Sequence, residues 1–201
     1  LVIWLRDNGY RIVEEMEPFI ALYTAEGMKF VALKLAPGEG IDAISPIKMT
    51  YAGKVPQIPL RLTSIAAVPE MGVKVWVLGE ERYGPKNTPD IEIDDSEIVF
   101  DNWSWQNNYV PLVARRVDEH GGRGFVTEYA NTTGDLAEQA RNSGVNDEDQ
   151  AAAQTALVNL LESQPYITRL YSRVSPEEMD HDPMFHRVGG DTLSNIHDLS
   201  L

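Results

Sequence analysis

The stretch "VKVWVLG", residues 73–79, is apolar at nearly every position. A strand that is buried on both faces of a sheet has such a continuous apolar sequence. Three earlier runs also have the composition of strands, namely "MKFVALKL" (28–35), "PIKMTY" (46–51) and "QIPLRLTSIAA" (57–67). Because the links between the runs are short and rich in turn-forming residues, they predict an antiparallel meander over residues 28–78.

Helical patterns lie on both sides of these strands. A first helix is expected to end at Gly9, since glycine adopts the left-handed conformation of a helix end without a steric cost. Apolar side chains recur at helical spacing over residues 14–26 and again over residues 109–118. The glycines of "HGG" (120–122) are expected to end the later helix.

The second half of the chain adds another helix and two strands. The helix follows Asn146, and its acidic first turn complements the helix dipole. "GFVTEYA" (124–130) and "YITRLYSRV" (166–174) are predicted to be strands. The buried stripe of the helix is expected from its leucines, Leu157, Leu160 and Leu161.

These elements together predict an α+β fold. The antiparallel, meander-containing sheet should have about five to seven strands, with helices packed before, within and after it. A chain of 201 residues with 43% hydrophobic content can form one sizeable core, so we expect a single domain over residues 1–201. The sequence begins "LVIWLRDNGY", without Met and already on an apolar helical face. We therefore expect a fragment or mature portion of a longer exported protein.

The charge balance is strongly acidic. The chain has 31 acidic and 17 basic residues, for a formal net charge of -14. Such a field repels phosphate backbones and anionic membrane surfaces, so we expect no nucleic-acid partner. The chain has no cysteine, which excludes disulfides, thiolate metal sites and cysteine nucleophiles. No apolar run approaches the about 20 residues of a membrane-spanning helix.

The motif "DNWSWQNNY" (101–109) concentrates aromatic and amide side chains. Trp103 and Trp105 have the spacing of strand residues that point to the same side. The pattern favours burial of both indoles in the seam between the 109–118 helix and the sheet. The alternative is a ligand platform, in which Trp103 and Trp105 stack on a carbohydrate and Asn102 lies beside them.

The motif "MDHDPMFH" contains the densest set of candidate metal ligands, Asp180, His181, Asp182 and His186. Carboxylate and imidazole groups suit Zn, Mn or Fe, so a metal-dependent hydrolase using the 180–186 loop is one hypothesis. However, Pro183 prevents helical spacing of these ligands. We therefore favour a solvated loop, and we expect no metal and no other cofactor. The motifs Gly-x-Ser-x-Gly and His-Glu-x-x-His do not occur, so no catalytic residue is predicted.

Five longer segments of the sequence resemble a bacterial family, domain of unknown function 2330. The segments are "WLRDNGY", "FVALKLAPGEG", "PLRLTSIAAVPEMGVKVWVLG", "NNYVPLVARRVDEHGGRGFVTEYA" and "SPEEMDHDPMF". The resemblance implies a protein of the bacterial cell envelope or a secreted one, of which this chain is the C-terminal portion. It implies no catalytic residues.

The sequence and the resemblance together favour a non-catalytic, extracytoplasmic structural or binding domain. Its partner could be another protein or a second copy within the envelope. The metal-dependent hydrolase of the 180–186 loop and a carbohydrate-binding module at Trp103 and Trp105 are the alternatives.

Overall fold

A computed structural model describes residues 1–33, 38, 48–53 and 55–194. The described residues form six α-helices and eight strands. The helices are α1 (Val2–Asp7), α2 (Glu17–Ala25), α3 (Leu60–Thr63), α4 (Tyr109–Glu119), α5 (Gly134–Asn142) and α6 (Glu148–Glu162). The strands are β1 (Met71–Gly79), β2 (Tyr83–Pro85), β3 (Asp90–Ile91), β4 (Phe100–Asp101), β5 (Gln106–Asn107), β6 (Phe125–Thr132), β7 (Tyr166–Val174) and β8 (Phe185–Arg187).

Strand β7 is central in the main sheet. The strand order is β1-β7-β6-β3, and β7 is antiparallel to both of its neighbours. Its pairing with β1 runs without a break from Met71 opposite Val174 to Gly79 opposite Tyr166. Strand β3 adds a short parallel edge to β6. The α+β class and the predicted strands at 73–79, 124–130 and 166–174 are confirmed.

Of the meander predicted over residues 28–78, only the last run is a strand among the described residues, so the prediction is matched only in part. Leu60–Thr63 is a helix that follows Pro59, which has no N–H to donate to a sheet. Residues 28–33 and 48–51 lie in no strand, while residues 34–35 and 46–47 are outside the described residues. Strand β1 instead pairs with β7 from the far end of the chain. The described strands form one sheet of four and two of two, rather than one sheet of about five to seven.

The main sheet is covered on both faces. On one face, Val113 and Val117 of α4 pack with Val126 and Tyr171. On the other face, Phe125 and Leu170 pack with Phe185 of β8, and the rings of Phe125 and Phe185 meet edge to face at 5.3 Å. Burial on both faces explains why β7 is buried at Ile167, Thr168, Leu170, Tyr171, Ser172 and Val174 rather than at every second residue.

Helix ends follow the glycines of the sequence. The φ angles of Gly9 and Gly27 are 75° and 77°, and α1 and α2 end just before these residues. After α4, Gly121 donates to the carbonyl of Asp118 and Gly122 donates to that of Val117. These two bonds form a Schellman motif, which satisfies carbonyls that the helix leaves unpaired. The predicted ends at Gly9 and at "HGG" are therefore confirmed.

Helices α5 and α6 form a helical hairpin between β6 and β7. The Gln154 side chain of α6 donates to the carbonyls of Ala140 and Ser143 at the end of α5, and Arg141 forms an ion pair with Glu162. At the base of the hairpin, the Thr133 amide donates to the carbonyl of Pro165 at 3.1 Å. The hairpin therefore closes on itself where the two strands begin to pair.

The leucine stripe of α6 is only partly buried. Leu161 packs with Ala137 and Ile167, whereas Leu157 and Leu160 are exposed. The helix begins one residue later than predicted, with the Asp147 carboxylate accepting from the Gln150 amide at 2.8 Å. Among the described residues, no helix combines the length and the apolar sequence that crossing a membrane requires.

Two leucine substitutions test the position of the core. Leu170 is fully buried in the central strand, so Leu170→Ala should lower the free energy of unfolding by about 2–5 kcal/mol. Leu157 is 48% exposed, so the matched Leu157→Ala should change it by no more than about 0.5 kcal/mol. Urea unfolding followed by circular dichroism measures both values. Similar losses from the two variants would contradict the core described above.

Candidate functional site

Residues 100–107 form a short β-hairpin, called here the tryptophan hairpin. Its strands pair Phe100 with Asn107 and Asp101 with Gln106, and the four residues 102–105 form the turn. The Asp101 carboxylate accepts from the Ser104 hydroxyl at 2.6 Å and from the Trp103 amide at 2.9 Å. These hydrogen bonds lower the pKa of the Asp101 carboxyl, that from Ser104 most. Asp101 therefore stays ionised and fixes the turn.

Asn108 anchors the base of the hairpin. Its side-chain oxygen accepts from the Val99 amide at 2.7 Å, and its side-chain nitrogen donates to the Glu97 carbonyl at 2.9 Å. Asn108 occupies the N-cap position of α4, but it makes no side-chain capping bond there. The neighbouring Asn107 carboxamide accepts from the Tyr109 amide at 3.1 Å instead. The two asparagines thus fix the hairpin to the start of α4.

Both indoles of the hairpin project into solvent, so the predicted burial in the helix–sheet seam is wrong. Trp103 is 95% exposed and Trp105 is 81% exposed. The seam between α4 and the sheet is filled by aliphatic side chains, among them Val113 and Val117. The contact of Trp105 with the edge of Phe100, at 6.2 Å between ring centroids, leaves most of the indole uncovered.

Trp105 also has an unfavourable backbone conformation. Its φ angle is +57°, in the left-handed region that glycine adopts freely and that costs other residues about 1–2 kcal/mol. A buried side chain could offset this cost by its packing, but the Trp105 indole is exposed. The stability of the fold therefore does not account for a tryptophan at this position.

The polar groups around the indoles are free to bind a ligand. In the part of the chain that the structure describes, no intramolecular hydrogen bond is made by the indole N–H groups of Trp103 and Trp105 or by the carboxamides of Asn102 and Gln106. Carboxamides can both donate and accept, and indoles can donate. Asn102 lies beside Trp103 in the turn, while the platform hypothesis stays a prediction.

Asp182, one of the four candidate metal ligands, is buried in a hydrogen-bond network. Its carboxylate accepts from the Tyr23 hydroxyl at 2.8 Å, and from the amide and guanidinium of Arg61 at 2.9 to 3.2 Å. The Arg61 guanidinium also donates to both carboxylate oxygens of Glu26 and lies over the Tyr23 ring. Asp182 therefore joins α2 and α3 to the end of the chain. The sequence gives no signal for its partners.

Asp180 and His181 lie apart from this network. The Asp180 carboxylate accepts from His181 Nδ1 at 2.7 Å and pairs with Arg123, and both contacts lower the pKa of the Asp180 carboxyl. Because an ionised carboxylate can only accept, His181 Nδ1 is the donor in this hydrogen bond. Nε2 is buried and has no hydrogen-bond partner among the described residues.

The free His181 nitrogen borders a very small cavity. Glu178 and Gly122 also line the cavity, whose volume of about 10 Å³ has room for one water molecule. A carboxylate that orients an imidazole is the arrangement of a general base, but here no substrate could reach the imidazole through the cavity. The arrangement can hold a water molecule.

His186 lies elsewhere, on β8. It pairs with Gly84 of β2, and its side chain is exposed. Within residues 1–33, 38, 48–53 and 55–194, no three His, Asp or Glu side chains lie close enough to share a metal ion. The candidate ligands Asp180, His181, Asp182 and His186 are thus divided among three surroundings.

The buried hydroxyl of Tyr23 predicts a loss of stability at alkaline pH. The pKa of Tyr23 is raised from 10.0 to about 12, mainly by burial of the hydroxyl and next by its hydrogen bond to Asp182. The folded state thus holds the Tyr23 proton more tightly than the unfolded state does. The stability that the protonated hydroxyl contributes is therefore complete below pH 10 and is lost as the pH rises towards 12. By pH 11 the loss should be about 1 kcal/mol.

Tyr23→Phe removes the titrating group. Urea unfolding at pH 9, 10 and 11 should therefore show a smaller decrease in stability for Tyr23→Phe than for the parent. Tyr51 is exposed, so Tyr51→Phe serves as the control and should follow the parent. A decrease in Tyr23→Phe as large as that in the parent would contradict this assignment.

Two substitutions within the 180–186 loop test for a structural metal. His186→Ala should change the free energy of unfolding by no more than about 0.5 kcal/mol, and a chelator should leave the melting temperature of the parent unchanged. Asp182→Ala should cost about 3 kcal/mol or more, because it leaves Arg61 without its buried partner. Thermal melting with and without chelator measures these effects. A loss of several degrees in His186→Ala, matched by a chelator effect on the parent, would reveal a bound metal.

Comparison with known proteins places the chain in a family. Residues 1–186 match a family described as an uncharacterized protein conserved in bacteria (DUF2330). No curated protein and no solved structure matches the chain. The matched range includes the tryptophan hairpin and the 180–186 loop, while the assignment of the chain to the C-terminal portion of such proteins stays a prediction. Since the match covers nearly the whole sequence, the chain belongs to the bacterial DUF2330 family.

Proposed function

We propose that this protein is a non-catalytic, extracytoplasmic binding domain whose binding surface is the tryptophan hairpin. The observation that carries the proposal is the state of Trp105, which is both 81% exposed and in a left-handed conformation. Neither feature stabilises the fold. Large aromatic side chains that a fold does not bury are common at binding surfaces, where they supply contact area with few rotatable bonds.

The rest of the hairpin supports a rigid platform. Asp101 fixes the turn, and Asn108 holds the base against residues 97–99. A surface that is ordered before the ligand arrives loses less conformational entropy on binding. The hairpin therefore presents Trp103 and Trp105 in positions that need little reorganisation.

The contacts of the 180–186 loop support the hydrolase hypothesis less than those of the hairpin support a binding surface. Asp182 is occupied by Tyr23 and Arg61, and His181 faces a cavity for a single water molecule. A catalytic site needs a reacting atom of the substrate within reach of the base. The contacts of the 180–186 loop are those of a structural element that attaches α2 to the sheet.

The extracytoplasmic location is part of the proposal and is supported by the resemblance described above. The absence of cysteine is compatible with any redox compartment. A partner in the cell envelope, including another protein or a second copy of the chain, is compatible with a protruding hairpin.

Substitution by two small residues tests the strain at Trp105. Alanine is normally more stabilising than glycine, but at a left-handed position the order reverses. Trp105→Gly should therefore be more stable to urea than Trp105→Ala by about 1 kcal/mol, and at least as stable as the parent. If Trp105→Ala is the more stable of the two, Trp105 is not strained.

Cosedimentation with isolated bacterial cell envelopes tests the binding surface. The parent should sediment with the envelopes, and a double variant with Trp103→Ala and Trp105→Gly should stay in the supernatant. The control is Trp4→Ala, at a tryptophan that is also exposed but lies on α1. Equal sedimentation of the parent and the double variant would contradict a role for the hairpin, provided that both remain folded in circular dichroism.

A further inference from the structure

We infer that the ligand of the tryptophan hairpin is a neutral polysaccharide. This inference rests on the proposed function and adds the chemical class of the ligand. It follows from three features of the hairpin: two exposed aromatic faces, free hydrogen-bonding groups beside them, and a one-sided charge.

The two indoles suit the faces of sugar rings. A pyranose has one face of C–H groups, which packs on an aromatic ring, and an edge of hydroxyl groups that remains hydrated or hydrogen-bonded. Trp103 and Trp105 are separated by one residue in a turn whose conformation Asp101 fixes. Both rings are more than four-fifths exposed, so the face of each is open to a sugar ring.

The polar groups near the indoles match hydroxyl groups. The carboxamides of Asn102 and Gln106 can donate and accept at once, as a sugar hydroxyl also does. Neither carboxamide makes a hydrogen bond within the described part of the protein. The ionised Asp101 carboxylate retains lone pairs beyond those used by Ser104 and Trp103. A ligand rich in hydroxyl groups can therefore satisfy all three side chains.

The charge of this region disfavours an anionic ligand. No lysine or arginine occurs between Lys86 and Arg115, whereas six acidic residues lie in this interval, Asp90, Glu92, Asp94, Asp95, Glu97 and Asp101. Phosphate, sulfate and carboxylate groups would be repelled, and so would a membrane with anionic headgroups. Among glycans, neutral ones therefore suit this surface better than anionic ones.

The shape of the hairpin favours a small contact along a repeating chain. A stable protein–protein interface buries about 800 Å² on each partner, which a turn of four residues on two-residue strands cannot supply alone. A polysaccharide needs only the two stacked rings and a few hydrogen bonds. Affinity for a short oligosaccharide should then be weak, because few contacts offset the cost of association. Several protein copies on one insoluble polymer would bind it more tightly.

Fluorescence of the hairpin tryptophans provides the main test. A background variant with Trp4→Phe and Trp76→Phe leaves only Trp103 and Trp105 to emit. It is titrated with cellohexaose, chitohexaose and maltohexaose as neutral glycans, with polygalacturonate as an anionic glycan, and with phosphatidylcholine vesicles as a lipid surface. We expect a saturable change in emission with at least one neutral glycan, and none with polygalacturonate or vesicles.

Substitutions assign the binding to the proposed groups. Trp103→Ala and Trp105→Gly should each weaken binding of the neutral glycan by about tenfold or more, and Asn102→Ala should weaken it by about threefold. Trp105→Phe should retain part of the affinity, because phenylalanine still provides an aromatic ring. Neutral-glycan binding that is unchanged in the Trp103 and Trp105 variants would overturn the inference.

The remaining outcomes separate this inference from the proposed function. If vesicles or polygalacturonate change the emission and neutral glycans do not, the glycan class is overturned while the hairpin remains a binding surface. If no probe changes the emission but envelope cosedimentation still depends on Trp103 and Trp105, the neutral glycan is overturned and the proposed function stands. If cosedimentation is also independent of the hairpin, both are overturned.

Discussion

The pairing of β7 between β1 and β6 is the constraint on which the rest of the structure depends. It joins a strand from the middle of the chain to one near its end, and it creates the two faces that α4 and β8 cover. The Asp182 network then attaches the N-terminal helices to this sheet through Tyr23 and Arg61. With α4 fixed on one face, Asn107 and Asn108 at its start determine where the tryptophan hairpin projects.

Local features of the fold could be predicted from the sequence, and features that depend on distant partners could not. A glycine ends a helix by its own positive φ angle, which requires no distant partner. The helix ends at Gly9 and after α4 could therefore be predicted from the sequence. The predicted meander was wrong in its pairing because apolar runs do not specify which run is their neighbour. Strand β1 pairs with a strand about 90 positions later. Such long-range pairing is typical of folds that form slowly. At the candidate sites, a spacing of two places Trp103 and Trp105 together but does not say whether they face the core. The partner of Asp182 is Arg61, 121 positions away, and no pattern in the sequence connects them.

The two candidate sites differ in how well the fold explains their residues. Both carboxylate oxygens and the backbone carbonyl of Asp182 have partners, which come from α2, from α3 and from Asn87. The hairpin, by contrast, is fixed by hydrogen bonds at its base and turn, while both of its indoles are mostly exposed. The carboxamides of Asn102 and Gln106 have no hydrogen-bond partner among the described residues. Stability explains this exposed turn least, which is why we propose it as the binding surface.

The helical hairpin of α5 and α6 has a consequence for the order of folding. It occupies the whole connection between β6 and β7. Several of its contacts lie within this connection, such as Gln154 with the end of α5 and Arg141 with Glu162, and Leu161 also packs with Ile167 of β7. Helices form in about a microsecond, far faster than distant strands pair. Once formed, the hairpin replaces a long flexible loop by a compact spacer and so removes most of the entropic cost of bringing β6 to β7. Strands β6 and β7 can therefore meet before β1 arrives, and β1 then adds to an edge that already exists.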